Sequence, residues 1–143
     1  MQGIKRAAIA VALVTSFWIG GAAAQVRDSV FTDYDSYSSY VDRSIMSRQF
    51  GPFIQAMGGR DEYTSEQLAG VERQFTQIYP VDFEEGGTFN RRELGSGIMQ
   101  EGRYFRTGDR YVYYYALLHQ RDDSLIVLEF ALNSDAEVIM NKF

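Results

Sequence analysis

Few residues in this chain have the means to do chemistry. There is one histidine, His119, and no cysteine. A histidine titrates near neutrality and serves as a general base when a carboxylate orients it. The nearest carboxylates in sequence are Asp122 and Asp123. Neighbours across a tight turn rarely point the same way, so a partly buried His119 with a local hydrogen bond is the main expectation. Catalysis by His119 is the weaker alternative. With no cysteine, Cys–His nucleophilic pairs are excluded, and no serine lies in the strand–elbow–helix context that a Ser–His pair requires.

The carboxylates offer little more. Asp33/Asp35, Asp61-Glu62, Glu84-Glu85 and Asp122-Asp123 are short acidic groups, and none continues into a twelve-residue calcium loop. No metal site and no cofactor is expected. Glu101 and Glu129 would make a carboxylate pair of the hydrolytic kind if they shared one sheet face. The preferred reading pairs them at the surface with Arg103 and Lys142. Gly86-Gly87 and Gly95-Ser96-Gly97 lack the spacing and the following Lys-Ser/Thr of phosphate loops, so they read as loop glycines.

These residues must be positioned by a sheet. Residues 110–120 and 125–132 are aromatic and β-branched runs separated by Arg121-Asp-Asp-Ser124, the signature of two strands and a turn. A loop of Asp122-Asp123 alone, or of 121–124, pairs His119 with Ile126, Leu117 with Leu128 and Tyr115 with Phe130. Burial then selects the face of Tyr113, Tyr115, Leu117, Leu128 and Phe130 as the core floor, with Tyr115 more buried than Tyr114. A preceding strand over 98–106 joins through Gly108-Asp109, which as a two-residue turn pairs Tyr104 with Tyr113. A three-residue loop over 107–109 would reverse its faces. Residues 137–142 read as a fourth strand, with Lys142 near Glu129.

Two helices precede the sheet. In the first, Asp35 or Ser36 is the N-cap, and Tyr37, Tyr40, Val41 and Ile45 mark a stripe. Gly51-Pro52 breaks it. In the second, Thr64 and Gln67 form a capping box, Leu68, Val71, Phe75 and Ile78 mark one face, and Pro80 stops it. Residues 81–96 read as a connection pinned by Phe83 and Phe89. The class is α+β, with two N-terminal helices packed on a C-terminal four-stranded antiparallel meander.

The chain has 143 residues and a formal charge of −5. Lys5-Arg6, an uncharged apolar run over 7–21 and Ala22-Ala23-Ala24 follow the plan of a secretory signal peptide. The apolar run falls short of the roughly 20 residues that span a bilayer, so no membrane span is expected. Removing residues 1–24 takes two of the 14 basic residues and none of the 19 acidic ones, leaving −7. That balance argues against nucleic acid as a partner. A flexible lead-in over 25–35 and one domain over 36–143 complete the expected organisation.

Over residues 36–143, the order of helices then aromatic sheet resembles the NTF2-like and cystatin-like domains. The resemblance implies a pocket between sheet and helices, and an exposed sheet face of the kind used for dimerisation. It implies no single activity. Tyr104, Tyr113, Tyr115 and His119 are the candidate ligand-binding residues. The outer face is expected to carry Met99, Phe105, Val112, Tyr114, Ala116, Leu118, Val127, Ala131, Val138 and Met140, too apolar to stay wet, and to bury itself in a homodimer. The expected function is ligand binding or self-assembly by an exported, periplasmic or secreted, non-catalytic domain. The alternative is a hydrolase or isomerase of NTF2-like type using His119.

Overall fold

The computed structural model describes residues 29–59 and 63–143. The expected signal peptide over 1–24 and the Asp61-Glu62 doublet lie outside the described residues. The elements run β1 (Val30–Phe31), α1 (Tyr34–Met46), α2 (Phe50–Ile54) continuing into a π turn (Gln55–Gly59), α3 (Ser65–Ile78), β2 (Glu85–Gly95), β3 (Ile98–Thr107), β4 (Arg110–Gln120), β5 (Leu125–Asn133) and α4 (Ala136–Met140). The strands form one antiparallel sheet in the order β1-β5-β4-β3-β2. The α+β class is as expected, but the sheet has five strands rather than four.

Local signals explain the helices. Asp33 caps α1 by accepting from the Ser36 N–H at 2.7 Å, and Tyr37, Val41, Ser44 and Ile45 form its buried stripe. The cap thus lies inside the expected lead-in, two or three residues ahead of the expected caps. The break comes at 47–49, where Arg48 takes φ 59°, and not at Gly51-Pro52. Pro52 lies in the first turn of α2, where its missing N–H leaves no helical bond unmade. In α3 the capping box forms as expected, with Thr64 N–H to Gln67 Oε1 at 2.8 Å and Gln67 N–H to Thr64 Oγ1 at 3.1 Å. Thr64→Ala is expected to lower stability by about 1 kcal/mol. A urea midpoint that does not move would show that the box carries no weight.

On β3 and β4 the core face is the opposite of the expected one, while Phe130 of β5 lies in the core as expected. Tyr114 is 0 % exposed and Tyr115 is 3 % exposed. Met99, Phe105, Val112, Tyr114, Ala116, Leu118, Val127 and Phe130 pack under α1, α2 and α3. Most of the residues expected on an outer dimer face are therefore core. A bulge on β5 makes the Tyr114 face continuously apolar. Leu118 pairs with Val127 but Leu117 pairs with Glu129, so Leu128 is the extra residue. The bulge lets Leu125 and Val127 share the helix side with Phe130 and Leu132, and it turns Glu129 to the other side. Volume agrees. The helices bring Tyr37, Phe50, Phe53 and Phe75 into the core, and small residues such as Ala116 and Val112 make room beneath them. Phe50 and Phe75 stack at 4.6 Å, and Phe53 meets both Tyr114 and Phe130 at 5.8 Å.

Two further elements differ from expectation. Residues 85–95 form β2, an edge strand paired with β3 through a turn at Ser96-Gly97, both with positive φ. Residues 136–140 form α4 in place of a fourth meander strand. Asp135 caps it by accepting from the Glu137 N–H at 3.0 Å. The Gly108-Asp109 turn and the Tyr104–Tyr113 pairing are as expected, and so is the pairing of His119 with Ile126.

Candidate functional site

The strongest electrostatic feature is a buried cluster where α1 meets β3. Glu101 and Arg103 lie two apart on β3 and therefore point to one face. It is the helix face, where Glu101 is 0 % and Arg103 2 % exposed. The guanidinium grips the carboxylate through two bonds, Nε to Oε2 at 3.0 Å and Nη2 to Oε1 at 3.1 Å. From α1, the Tyr34 hydroxyl donates a very short bond to Oε1, and that of Tyr37 donates to Oε2 at 2.9 Å. A hydroxyl has one proton to give, so Tyr114 donates to Tyr37 across their 2.8 Å contact. Arg103 also donates to Asp42 Oδ1 at 2.8 Å and Ser38 Oγ at 2.9 Å.

The energetics follow from burial. The Tyr37 hydroxyl is held well above its ordinary pKa, first by burial and then by the neighbouring Tyr114 and the Glu101 charge. Burial likewise raises Tyr114 and Tyr34. Burial alone would lower the pKa of Arg103, but the hydrogen bonds and charge of Glu101 outweigh it and leave it raised. Both carboxylate oxygens are occupied, and the guanidinium reaches Glu101, Asp42, Ser38 and Tyr34. Chemically this is a clamp between helix and sheet.

The expected surface pairing of Glu101 with Arg103 thus exists, but inside the protein. Glu129 pairs with Lys142 at 2.9 Å as expected, on the other side of the sheet. The two carboxylates share no face, because the β5 bulge turns Glu129 away from the helices.

The expected ligand-binding residues all point away from α1, α2 and α3. They lie on the outer face and not in a pocket under the helices. Tyr115 is buried there beneath Phe143, whose ring meets it edge-on at 5.2 Å. Phe143 also sits over Gly102, where an added Cβ would lie 2.8 Å from the Phe143 ring and 2.6 Å from Phe89. Ile139 of α4 packs with Tyr115 and Ala131. Tyr104 and Tyr113, cross-strand partners, are half-exposed beside this cover. Tyr111, absent from the expected set, joins them, with its ring nearly parallel to that of Tyr113 at 6.0 Å and 6.1 Å from that of Tyr104. The signal for it was parity, since alternate residues of one strand share a face. Tyr104 donates to Glu85 Oε1 at 2.6 Å, and Arg106 holds the same carboxylate. That bond raises the Tyr104 hydroxyl and lowers the Glu85 carboxyl.

His119 is apart from these rings. Six residues along β4 separate it from Tyr113, about 20 Å. It is partly exposed, and its side chain makes no hydrogen bond or ion pair with a described residue. A cleft of about 510 Å³ adjoins the tyrosines, lined by Gln77, Ile78, Tyr79, Arg110, Tyr111 and Ser134. Among the described residues, no three His, Asp or Glu side chains come together to hold a metal ion, and no helix is long and apolar enough to cross a membrane. No family model, curated protein or solved structure matches the chain.

Proposed function

We propose that this chain is an exported, non-catalytic binding or self-assembly domain whose contact surface is the outer sheet face. Export follows from the signal-like residues 1–24, with delivery to the periplasm or beyond. In the sequence, the order of helices then aromatic sheet resembles that of NTF2-like and cystatin-like domains. In that shape class an exposed sheet face commonly serves dimerisation.

The observation that carries the reading is the group of Tyr104, Tyr111 and Tyr113. Three aromatic side chains stand together on a rigid sheet, and Tyr111 is 40 % exposed. Aromatic rings with a polar tip supply large contact area at low entropic cost. The adjoining cleft and the Glu85–Arg106 pair add polar groups at its rim.

Native mass spectrometry of the exported protein tests this. The expected mass is that of a chain beginning near Gln25, carrying a noncovalent partner, either a bound molecule or a second copy. Replacing both Tyr111 and Tyr113 by Asp removes that partner while circular dichroism stays native, and His119→Ala retains it. The reverse pattern, a partner lost with His119 and kept without the tyrosines, would overturn the reading.

A further inference from the structure

Among the described residues, two buried side-chain polar atoms have no hydrogen-bond partner, Gln100 Oε1 and Asn133 Nδ2. Both belong to the way the last residues are attached. Asn133 ends β5 and leads into α4; it is fully buried, and its Oδ1 accepts the Asp135 N–H at 2.8 Å. Gln100 lies beneath the final residues, where its Nε2 donates to the Lys142 carbonyl at 3.0 Å and to the Tyr115 hydroxyl at 3.1 Å. Residues 134–143, α4 and the segment to Phe143, therefore form a strap with one unsatisfied buried group at its hinge and another at its far end. Each is a desolvation cost that the seated strap does not recover. The strap is also separate from the main core. Ile139 and Phe143 pack with Tyr115 and Ala131 in a small cluster on the outer face, while α1, α2 and α3 pack on the other side of the sheet. It can lift without opening that core. Its charged latch is Lys142 to Glu129 at 2.9 Å, between side chains 20 % and 25 % exposed, a weak class of contact.

We propose that the strap is a displaceable cover, and that the groove beneath it is a peptide site which the strap itself fills in the closed state. This rests on the reading of the outer face as the contact surface and deepens it. The chemistry of the groove is read from its present occupant. Phe143 takes an aromatic slot between Tyr115 and Phe89, at 5.2 and 6.3 Å, over Gly102, where a Cβ would meet both phenylalanine rings. Glu129 takes the lysine before it. Gln100 takes the Lys142 carbonyl, and Arg92 Nη1 takes the Phe143 carbonyl at 2.8 Å. A few placed polar groups around an apolar slot are the usual make-up of a binding site. The partner that fits is a peptide segment with a basic residue followed by an aromatic one. Tyr113 lies two residues along β4 from Tyr115 and on the same face. Lifting the strap therefore joins the slot to the exposed tyrosines in one continuous surface.

Hydrogen exchange and peptide titration of the full exported chain are the test. The strap amides over 137–143 are expected to exchange at least about 100-fold faster than those of α3 and β4. The probe is a fluorescein-labelled synthetic peptide with the sequence of residues 136–143. Phe143→Ser removes the built-in competitor, so this variant binds the probe about tenfold more tightly than wild type does. Adding Glu129→Lys reverses that gain, and a probe carrying Lys142→Glu restores it to within about threefold. If Phe143→Ser fails to fold, Lys142→Ala takes its place. Strap amides protected as strongly as those of α3 overturn the proposal. So does a probe bound equally, or not at all, by wild type and variant, or binding indifferent to the charge exchange. A probe lost on replacing Tyr111 and Tyr113 but untouched by Glu129→Lys would overturn the strap site and leave the outer-face reading standing.

Discussion

Glu101→Ala is expected to cost about 3–5 kcal/mol of folding stability, the penalty for leaving a buried guanidinium without its carboxylate. Arg103 would retain Asp42, but that side chain is 53 % exposed and solvent screens its charge. Tyr34 would lose its acceptor on Glu101 as well. A typical domain has about 5–15 kcal/mol in total, so the loss is a large share of the whole. The contrast is Glu129→Ala. It breaks a pair whose side chains are 25 % and 20 % exposed, worth about 0–1 kcal/mol. Exchanging Glu101 for Leu and Arg103 for Met together separates two ideas. If the cost of Glu101→Ala is mainly the stranded charge, the double replacement recovers most of it. Hydrogen exchange adds location, because α1 is tied to β3 through Tyr34, Tyr37, Ser38 and Asp42, and its amides should lose protection first. A loss below about 1 kcal/mol in denaturant titration would mean that water reaches Arg103 and that the clamp is not closed in solution.

The cluster shows what the sequence discloses and what it hides. Glu101 and Arg103 are legible as a pair, because residues two apart on a strand share a face. Their parity is also that of Met99 and Phe105, the core residues of β3. A charged pair at core parity was the available sign of a buried clamp, but its partners Tyr34 and Tyr37 lie more than sixty residues earlier and nothing local links them. Local signals did their work where one residue satisfies its neighbour, as in the Thr64–Gln67 box and the Gly108-Asp109 turn. Extrapolation along β5 failed past Val127, because the bulge at Leu128 is marked by no glycine and no turn former. That single extra residue changes every pairing partner beyond it, so that Phe130 reaches the core beside the Tyr114 face and not the Tyr115 face. β2 reads as a connection because an edge strand shows no apolar alternation, and Glu85–Gly95 is rich in charge and glycine. Residues 137–142 read as a strand on Val138 and Met140, while the competing cue, a capping aspartate at 135, prevails in the fold.

The second large effect is alkaline. Unfolded tyrosines ionise near pH 10. In the folded protein, burial pushes the hydroxyls of Tyr37, Tyr114 and Tyr79 higher, with the negative partners Glu101 and Tyr113 acting in the same direction at Tyr37 and Tyr79 respectively. A raised folded value contributes stability that is complete below the unfolded value of about 10 and drains away as pH climbs toward the folded one. Within that window each such tyrosine costs about 1.4 kcal/mol per pH unit, and the three together about 4. One unit above pH 10 therefore removes a large share of the about 5–15 kcal/mol of a typical domain. Tyrosinate absorbance and circular dichroism followed on the same sample should break together, in one cooperative step above pH 10, as the buried rings ionise only on unfolding. All ten tyrosines of the chain lie in the described residues, so the amplitude of that step reports how many were protected. A smooth titration of all ten near pH 10 with the dichroism unchanged would place these hydroxyls in water and remove the packed aromatic core on which the clamp and the sheet both depend.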